Sequence, residues 1–423
     1  MENVTGSDSK GFRKPHVAYV LLWYPVFTQP FIFREVQGLK AQGYPVEIYS
    51  LYGLSLDECS EKMRQAANAT ICLGMKALFP LLGTALQQLV RQPMQTLRMC
   101  RKVLNYHWPN WEMLGENFWA LLCGIYLAKR FREAGIDHIH APWPRGTATA
   151  AWVASRLSGI PFSTAARGDN LNPMDPDLLD KLRAACCIRA NNKADAERIR
   201  KLLPATEQTK ICLVYNSLTL PADELAPAPL QAPVRILAVG RFDITKGFDY
   251  LLDACKLLKD EGLAFHLTLV GGGGRWLGLG LLGPQLQKQC EDLGLSDCVT
   301  MPGLVSHTKL PEVLTSHDIF VAPCIIHASG RRDGIPNTVI EAMAYGLPTV
   351  STNINALPEI VRHGHTGLTV PEKDSAALAR ALRYMVEHPE DARRMGKNGS
   401  VLVREMFNPD TNIRLLINMF TSV

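Results

Sequence analysis

"VRILAVGRFDITKGFDYLLDAC", residues 234–255, sets the architecture. It reads as a strand that ends at Gly240, a short loop carrying Arg241 and Lys246, and a helix that opens near Gly247. A strand followed at once by a helix is the repeating step of a parallel α/β sheet. Backbone N–H groups at the helix start, with two cations beside them, form a cradle suited to a diphosphate. Arg grips phosphate bidentately, whereas Lys acts as a compact point charge. The plain alternative is an ordinary connecting loop with solvated charges.

Working outward, the same step recurs. "FHLTLVG" (265–271), "CVTMPG" (298–303), "DIFVAP" (318–323), "PTVST" (348–352) and "GLTVP" (367–371) continue the second half as buried strands. In the first half "HVAYVLL" (16–22), "PVEIYSL" (45–51), "IDHIHA" (136–141), "IPFSTA" (160–165) and "KICLVY" (210–215) do the same. "FIFREVQGLKAQG" (31–43) fits the crossover helix after the first strand, closed by Gly43. The Pro- and Ala-rich "LPADELAPAPLQAP" (220–233) is the natural linker. With 423 residues, two domains are expected. The first is placed at 1–220 with a helical insertion at about 72–132, then a linker at 221–233, then a second domain at 234–404. A last helix at 405–423 is expected to pack back on the first domain. The fold class is α/β: two Rossmann-like doubly wound domains facing across a cleft.

Composition narrows the chemistry. Apolar residues make up 47% and charged residues 20%, which is globular and excludes a disordered chain. The net charge of +5 is unevenly placed: residues 1–218 hold 26 Lys and Arg against 18 Asp and Glu, whereas the remainder holds 19 against 22. From Lys62 to Trp111 there are seven basic residues and no acidic one, which points to an anionic partner for that half. A pI near 8.6 is too mild to argue for nucleic acid. Eleven cysteines without a CxxC pair read as reduced, mostly buried thiols of a cytoplasmic protein. The polar first 15 residues carry no secretory signal, and no apolar run spans a bilayer.

A second stretch carries the site. In "RRDGIPNTVIEAMAYGLPTV" (331–350), Asp333 and Glu341 flank a Gly-Ile-Pro-Asn turn before an Ala-rich helix. Gly334 lets the backbone approach a ligand, Pro336 fixes the turn, and Asn337 is placed to cap a helix starting near Thr338. Glu341 then falls on the first turn, where its carboxylate can accept two hydroxyl hydrogen bonds from a sugar diol. A capped helix on a solvated surface is the plain alternative. "VGGGG" (270–274) lacks the spacing of a dinucleotide fingerprint and reads as a flexible turn.

Taken together, Gly-Arg-Phe with Lys246-Gly247, "GGGG", "LTSHDIFVAPC", "DGIPNTVIEAMAYGLPTVST" and "LPEIVRHGHTGLTV" resemble glycosyltransferase family 4, of the GT-B fold. The resemblance covers nearly the whole chain. The first half, through "YVLLWYPVFTQPFIFREVQGLKAQGYPVEIYSL" and "DHIHAPWPRGTATAAWVASRLSGIPFSTAARGDN", is similar to the branch making exported and capsular polysaccharides. The resemblance implies a retaining, metal-independent transfer of a hexose from a nucleotide-diphosphate sugar to a glycan or lipid-linked saccharide. No cofactor is implied, because the nucleotide sugar is a co-substrate.

Carried over by motif, Arg241 and Lys246 hold the departing diphosphate, with Gly240 beside them. Glu341 binds the ribose. Asp333 stands where the family has Glu and faces the donor sugar. Gly334, Ile335, Pro336, Asn337 and Thr338 wrap the sugar and phosphate. The first half departs further from the pattern. Its His-Ala-His motif here is His140-Ala141-Pro142, and the His expected after the next strand is Ala166. His140 is kept as a catalytic candidate, with Arg167 and Asp169 on the donor or acceptor side. Gln29 replaces a usual Glu in the first loop.

His138 and His140 share a strand face and could ligate a metal, but no further ligand follows at useful spacing, so none is expected. The "YHWPNW" cluster (106–111) with the basic run before it suits a peripheral anionic membrane surface, or else packs as core. Two other readings compete with an active transferase. One is a catalytically impaired GT-B protein that binds nucleotide sugar as a scaffold, suggested by Pro142 and Ala166. The other is a Rossmann oxidoreductase, disfavoured because no well-placed G-x-G-x-x-G appears.

Overall fold

The computed structural model describes residues 13–27, 29–57, 59–166, 171, 174–218, 221, 232–272, 282–306 and 308–421. Arg167, Asp169, most of the expected linker and the end of the "GGGG" run lie outside them.

The first sheet has seven parallel strands: β1 (Val17–Trp23), β2 (Val46–Gly53), β3 (Thr70–Cys72), β4 (His138–Ala141), β5 (Phe162–Ala166), β6 (Cys187–Ala190) and β7 (Ile211–Leu213). Their order is β3-β2-β1-β4-β5-β6-β7. Val17 is in register with Val46 on one side and His138 on the other. The second sheet has six: β8 (Val234–Val239), β9 (Phe265–Val270), β10 (Val299–Gly303), β11 (Ile319–Ala322), β12 (Thr349–Thr352) and β13 (Leu368–Val370), in the order β10-β9-β8-β11-β12-β13. Both orders reverse direction beside their first strand, the doubly wound pattern.

The apolar runs form strands because both faces of each sheet are covered. In the second sheet Ile236, Ala238, Ile319 and Val321 enter one core with the helices Phe248–Asp260 and Ser375–Glu387. Their alternates Leu237, Phe320 and Ala322 enter a second core with the helix Asn337–Ala344. Period-two alternation thus feeds two apolar layers rather than one apolar and one wet face.

The chain divides into two compact units: Met1–Ala165 with Pro176–Ile188 and Ile413–Val423, and Ala166–Asp175 with Arg189–Asn412. The boundary expected at 220 is therefore not where contacts divide. Tyr215 and Leu218 join the core of the second unit, and Glu359 accepts hydrogen bonds there from Lys193 N, Ala194 N and Tyr215 Oη at 2.9–3.1 Å. The helix Pro409–Thr421 brings Phe420 against Tyr19, His138 and His140 within the first unit.

The stretch expected as a helical insertion forms three helices between β3 and β4: Leu78–Arg91, Pro93–Leu104 and Trp111–Glu133. Among the described residues no helix is long and apolar enough to cross a membrane.

Candidate active site

The site in the second unit is built where β8 and β11 end. After β8 the chain makes a tight turn at Ile244–Lys246 and enters the helix Phe248–Asp260 through Gly247. Gly247 has φ +63, and a Cβ there would stand 2.0 Å from the Pro323 carbonyl oxygen, so only glycine lets the two strand ends meet. Gly271 is bound the same way: a Cβ would lie 1.9 Å from the Gly240 carbonyl oxygen. The start of the glycine run is thus a close backbone crossing, not the free turn its composition suggests.

Asp243 anchors the loop. It accepts from Thr245 N at 3.0 Å and Thr245 Oγ1 at 2.7 Å through one oxygen, and from Arg331 at 2.8 Å through the other. Burial pushes its pKa up, but the Thr245 donors and the Arg331 guanidinium outweigh that and hold it at about 2. Asp243 is therefore a fixed anion, and it is spent on structure.

Lys246 points from this loop to Asp333, with Nζ 3.1 Å from Oδ2. The lysine is buried and the carboxylate nearly so. Burial pulls the Lys246 pKa down, yet the Asp333 charge more than offsets it and the net shift is upward, even with Arg241 near enough to oppose it. Lys246 is thus charged at neutral pH. Arg241 itself is exposed. Gly240 lies against the lysine stem, where a Cβ would approach Lys246 Cδ and Cε at 3.3 Å.

Asp333 is held from behind. Asn355, in the left-handed region at φ +49, donates its side-chain amide to the Asp333 carbonyl oxygen, and the Thr245 hydroxyl stands 3.5 Å from Asp333 Oδ2. Gly334 packs closely on Asn192 Nδ2. Pro336, not Asn337, occupies the cap position of the helix Asn337–Ala344. This corrects the expected cap: Asn337 is already helical, and its Oδ1 accepts from Asn216 Nδ2 at 3.4 Å. Thr338 Oγ1 donates to Val239 O at 3.0 Å, tying the helix to the end of β8. Ile335 packs on the apolar layer beneath, and Glu341 is a buried carboxylate one turn along the helix.

A small opening lies at this point, lined by Val239, Lys246, Phe248, Val321–Cys324, Pro336, Thr338 and Val339. It sits at the carboxyl ends of β8 and β11, the reversal point of the strand order, where doubly wound sheets take their ligands. Beside it, burial pushes the Cys324 thiol up to about 12, which keeps it an inert, protonated side chain.

The first unit treats its own candidate differently. His140 has no exposed surface; Nδ1 is 2.8 Å from Ser163 Oγ and Nε2 is 3.9 Å from Glu35 Oε1. Ser163 Oγ also meets His138 Nε2 at 2.7 Å, and Tyr19 donates to Glu35 at 2.7 Å. Phe420 lies across both imidazoles, at 4.9 and 5.3 Å between ring centroids. Burial lowers the His138 pKa to about 3, so that ring is neutral. As placed, His140 is closed off from solvent. Among the described residues no group of three or more His, Cys, Asp or Glu side chains is placed to hold a metal.

Of the expected residues, Arg241, Lys246, Asp333 and the 334–341 segment come together in one unit, and His140 belongs to the other. Sequence reading missed Asp243, Thr245, Arg331 and Asn355. Only the Asp-x-Thr spacing, a common side-chain-to-backbone turn, carried a signal for any of them.

Known proteins are similar over this whole arrangement. The family described as Glycosyl transferases group 1 matches residues 227–401, which hold every second-unit residue named above from Val239 to Asn355. WcaL of Salmonella typhimurium, named as a colanic acid biosynthesis glycosyltransferase, is 36% identical across 86% of this chain and 89% of its own length. The amylovoran biosynthesis glycosyltransferase AmsK of Erwinia amylovora is 37% identical over 38% of each chain. Among solved structures, Anabaena HepE in complex with UDP superposes with a TM-score of 0.68 at 16% identity, covering 96% of this chain and all of HepE. A sucrose-phosphate synthase from Thermosynechococcus elongatus gives 0.70 at 18% identity, covering 97% of this chain and 99% of its own. The chain belongs to the GT-B glycosyltransferases of exopolysaccharide biosynthesis.

Proposed function

We propose that the protein transfers a hexose, with retention, from a nucleotide-diphosphate sugar to a glycan or lipid-linked oligosaccharide acceptor on the cytoplasmic side. The observation that carries this reading is the pairing of buried Lys246 with partly buried Asp333 beside an opening at the reversal point of the second sheet. A charged lysine with Arg241 nearby supplies two cations for a diphosphate, and Asp333 supplies an acceptor for sugar hydroxyls. HepE is described in complex with UDP and with UDP-glucose, which supports the same ligand class here.

In this reading Lys246 and Arg241 bind the diphosphate and stabilise the charge that grows on it as the glycosidic bond breaks. The loop that carries Lys246 is held by the chain's own Asp243–Arg331 ion pair. Asp333, fixed by Asn355, orients the sugar, and Glu341 receives the ribose hydroxyls. The departing diphosphate takes up the acceptor proton, so no dedicated base is required.

The test is to incubate the purified protein with a panel of sugar nucleotides, with and without a chelator, and follow release by NMR. Retained anomeric configuration, unaffected by chelator, is expected. Protection against heat without turnover would favour a non-catalytic binding protein, and inversion or loss of activity with chelator would overturn the mechanism.

A further inference from the structure

The helices Leu78–Arg91 and Pro93–Leu104 are built with their apolar faces outward. In the first, Leu81 and Gln88 are buried, whereas Phe79 (82% exposed), Leu82, Leu86 and Val90 (76%) form a solvent-facing stripe at helical spacing. In the second, Thr96, Met99 and Val103 face inward and Met94, Leu97 and Leu104 face out. Trp111, at the start of the next helix, is 86% exposed as well. The inversion is stable because the buried polar groups are satisfied: Gln88 donates to Gln92 Oε1 at 2.9 Å and Thr96 to Gln92 O at 2.8 Å. Large apolar side chains left exposed in such number along two consecutive helices mark a contact site.

Charge says what covers it. Lys76, Arg91, Arg98 and Arg101 are exposed along the same helices and their approach, and residues 62–111 contain no acid. A second copy docking on this face would set these cations against their equals, so the partner is anionic as well as apolar. A bilayer surface with anionic headgroups offers both, and apolar stripes flanked by cations and Trp lie in such interfaces. We propose that this face of the first unit docks on an anionic phospholipid surface, the helices lying in its plane.

Three residues expected in this surface belong elsewhere. Lys102 pairs with Asp180 at 3.0 Å and lies over the Trp152 ring, and Tyr106 and Trp108 are tied to Asp180 and Val103 O. They hold the helices to their own unit and are left out of the test.

The full chain is sedimented with vesicles of phosphatidylcholine alone or mixed equally with phosphatidylglycerol, across a salt series. Binding to the anionic vesicles at low salt and release as salt rises are expected. The quadruple variant Lys76→Glu, Arg91→Glu, Arg98→Glu, Arg101→Glu is expected to bind at least about 100-fold more weakly, since each cation near such a surface is worth roughly fivefold. Phe79→Ser with Leu86→Ser is expected to weaken binding with no loss of thermal stability, both side chains being exposed. Quenching of Trp fluorescence by brominated lipid is expected to fall in Trp111→Phe. Equal binding to neutral vesicles, binding to neither, indifference to the charge reversal, or a self-dimer abolished by the serine variant would each overturn the proposal.

Discussion

Two clusters of ionisable side chains, one in each unit, are built in opposite ways. In the second unit Lys246 pairs with Asp333 and Arg331 pairs with Asp243. One side of that cluster stays open, with Arg331 38% exposed. In the first unit His138, His140 and Glu35 are joined through Ser163 and Tyr19 and sealed by Phe420. Burial there drives His138 neutral, whereas in the second unit opposite charges keep Lys246 charged against the same pressure. On the proposed function, paired charge with access is what marks the second cluster as a ligand site, and residue type alone does not distinguish the two.

That contrast breaks most directly at Lys246. Lys246→Ala should lower kcat/KM for sugar transfer by about 10²–10³, the usual loss when one charge-assisted contact to a developing anion is removed. Arg241→Ala should fall in the same range without loss of fold, since the side chain is exposed. His140→Gln should change kcat/KM far less; a fall as deep as that of Lys246→Ala would return His140 to the reacting set. Phe420→Ala tests the seal. Removing a buried aromatic ring should destabilise the protein by about 3 kcal/mol in denaturant unfolding, while leaving nucleotide affinity unchanged.

Asp243→Asn sharpens the electrostatic half. The folded-state pKa of Asp243, about 2, lies below its ordinary value, so its contribution is complete above about pH 4 and disappears as pH falls through about 2. At pH 7 the variant should be less stable by about 2 kcal/mol, and the gap to the parent should close on acidification. A gap that persists at pH 2 would show that packing, not charge, explains the loss.

The smallest effect separates the two carboxylates. Glu341→Gln should weaken binding of free nucleoside diphosphate by about tenfold, as expected for lost hydrogen bonds to a charged group. Asp333→Asn should not weaken it, because removing that carboxylate leaves the Lys246 charge for the phosphates, yet transfer should drop. Equal loss in both variants, measured by calorimetric titration, would mean the roles are wrongly divided.

Legibility in the sequence follows the same physics. All six strands of the second sheet stand out as apolar runs because both sheet faces are covered there. In the first sheet β3 and β6 do not stand out as apolar runs. Thr70–Cys72 is a three-residue edge strand, and Cys187–Ala190 is broken in sequence by Arg189. That guanidinium is buried because it donates to Val214 O and Tyr215 O at 3.0 and 3.1 Å, partners no local pattern reveals. Lys246 and Asp333 were each visible as motif residues, but their pairing is made by the crossing of two loops at Gly247 and Pro323. The periodicity of residues 78–104 was readable too. Which face pointed outward was not, since that depends on Gln88, Gln92 and Thr96 satisfying one another.

On the proposed function the donor nucleotide sits on the Lys246 loop and the Asp333 turn. Amide hydrogen exchange with and without a saturating nucleoside diphosphate, drawn from a small panel of bases, addresses it most directly. Exchange should slow at residues 240–248 and 333–341 in the parent protein, and that protection should vanish in Lys246→Ala. Bound nucleotide that leaves both segments unprotected, or protects them equally in Lys246→Ala, would contradict the account.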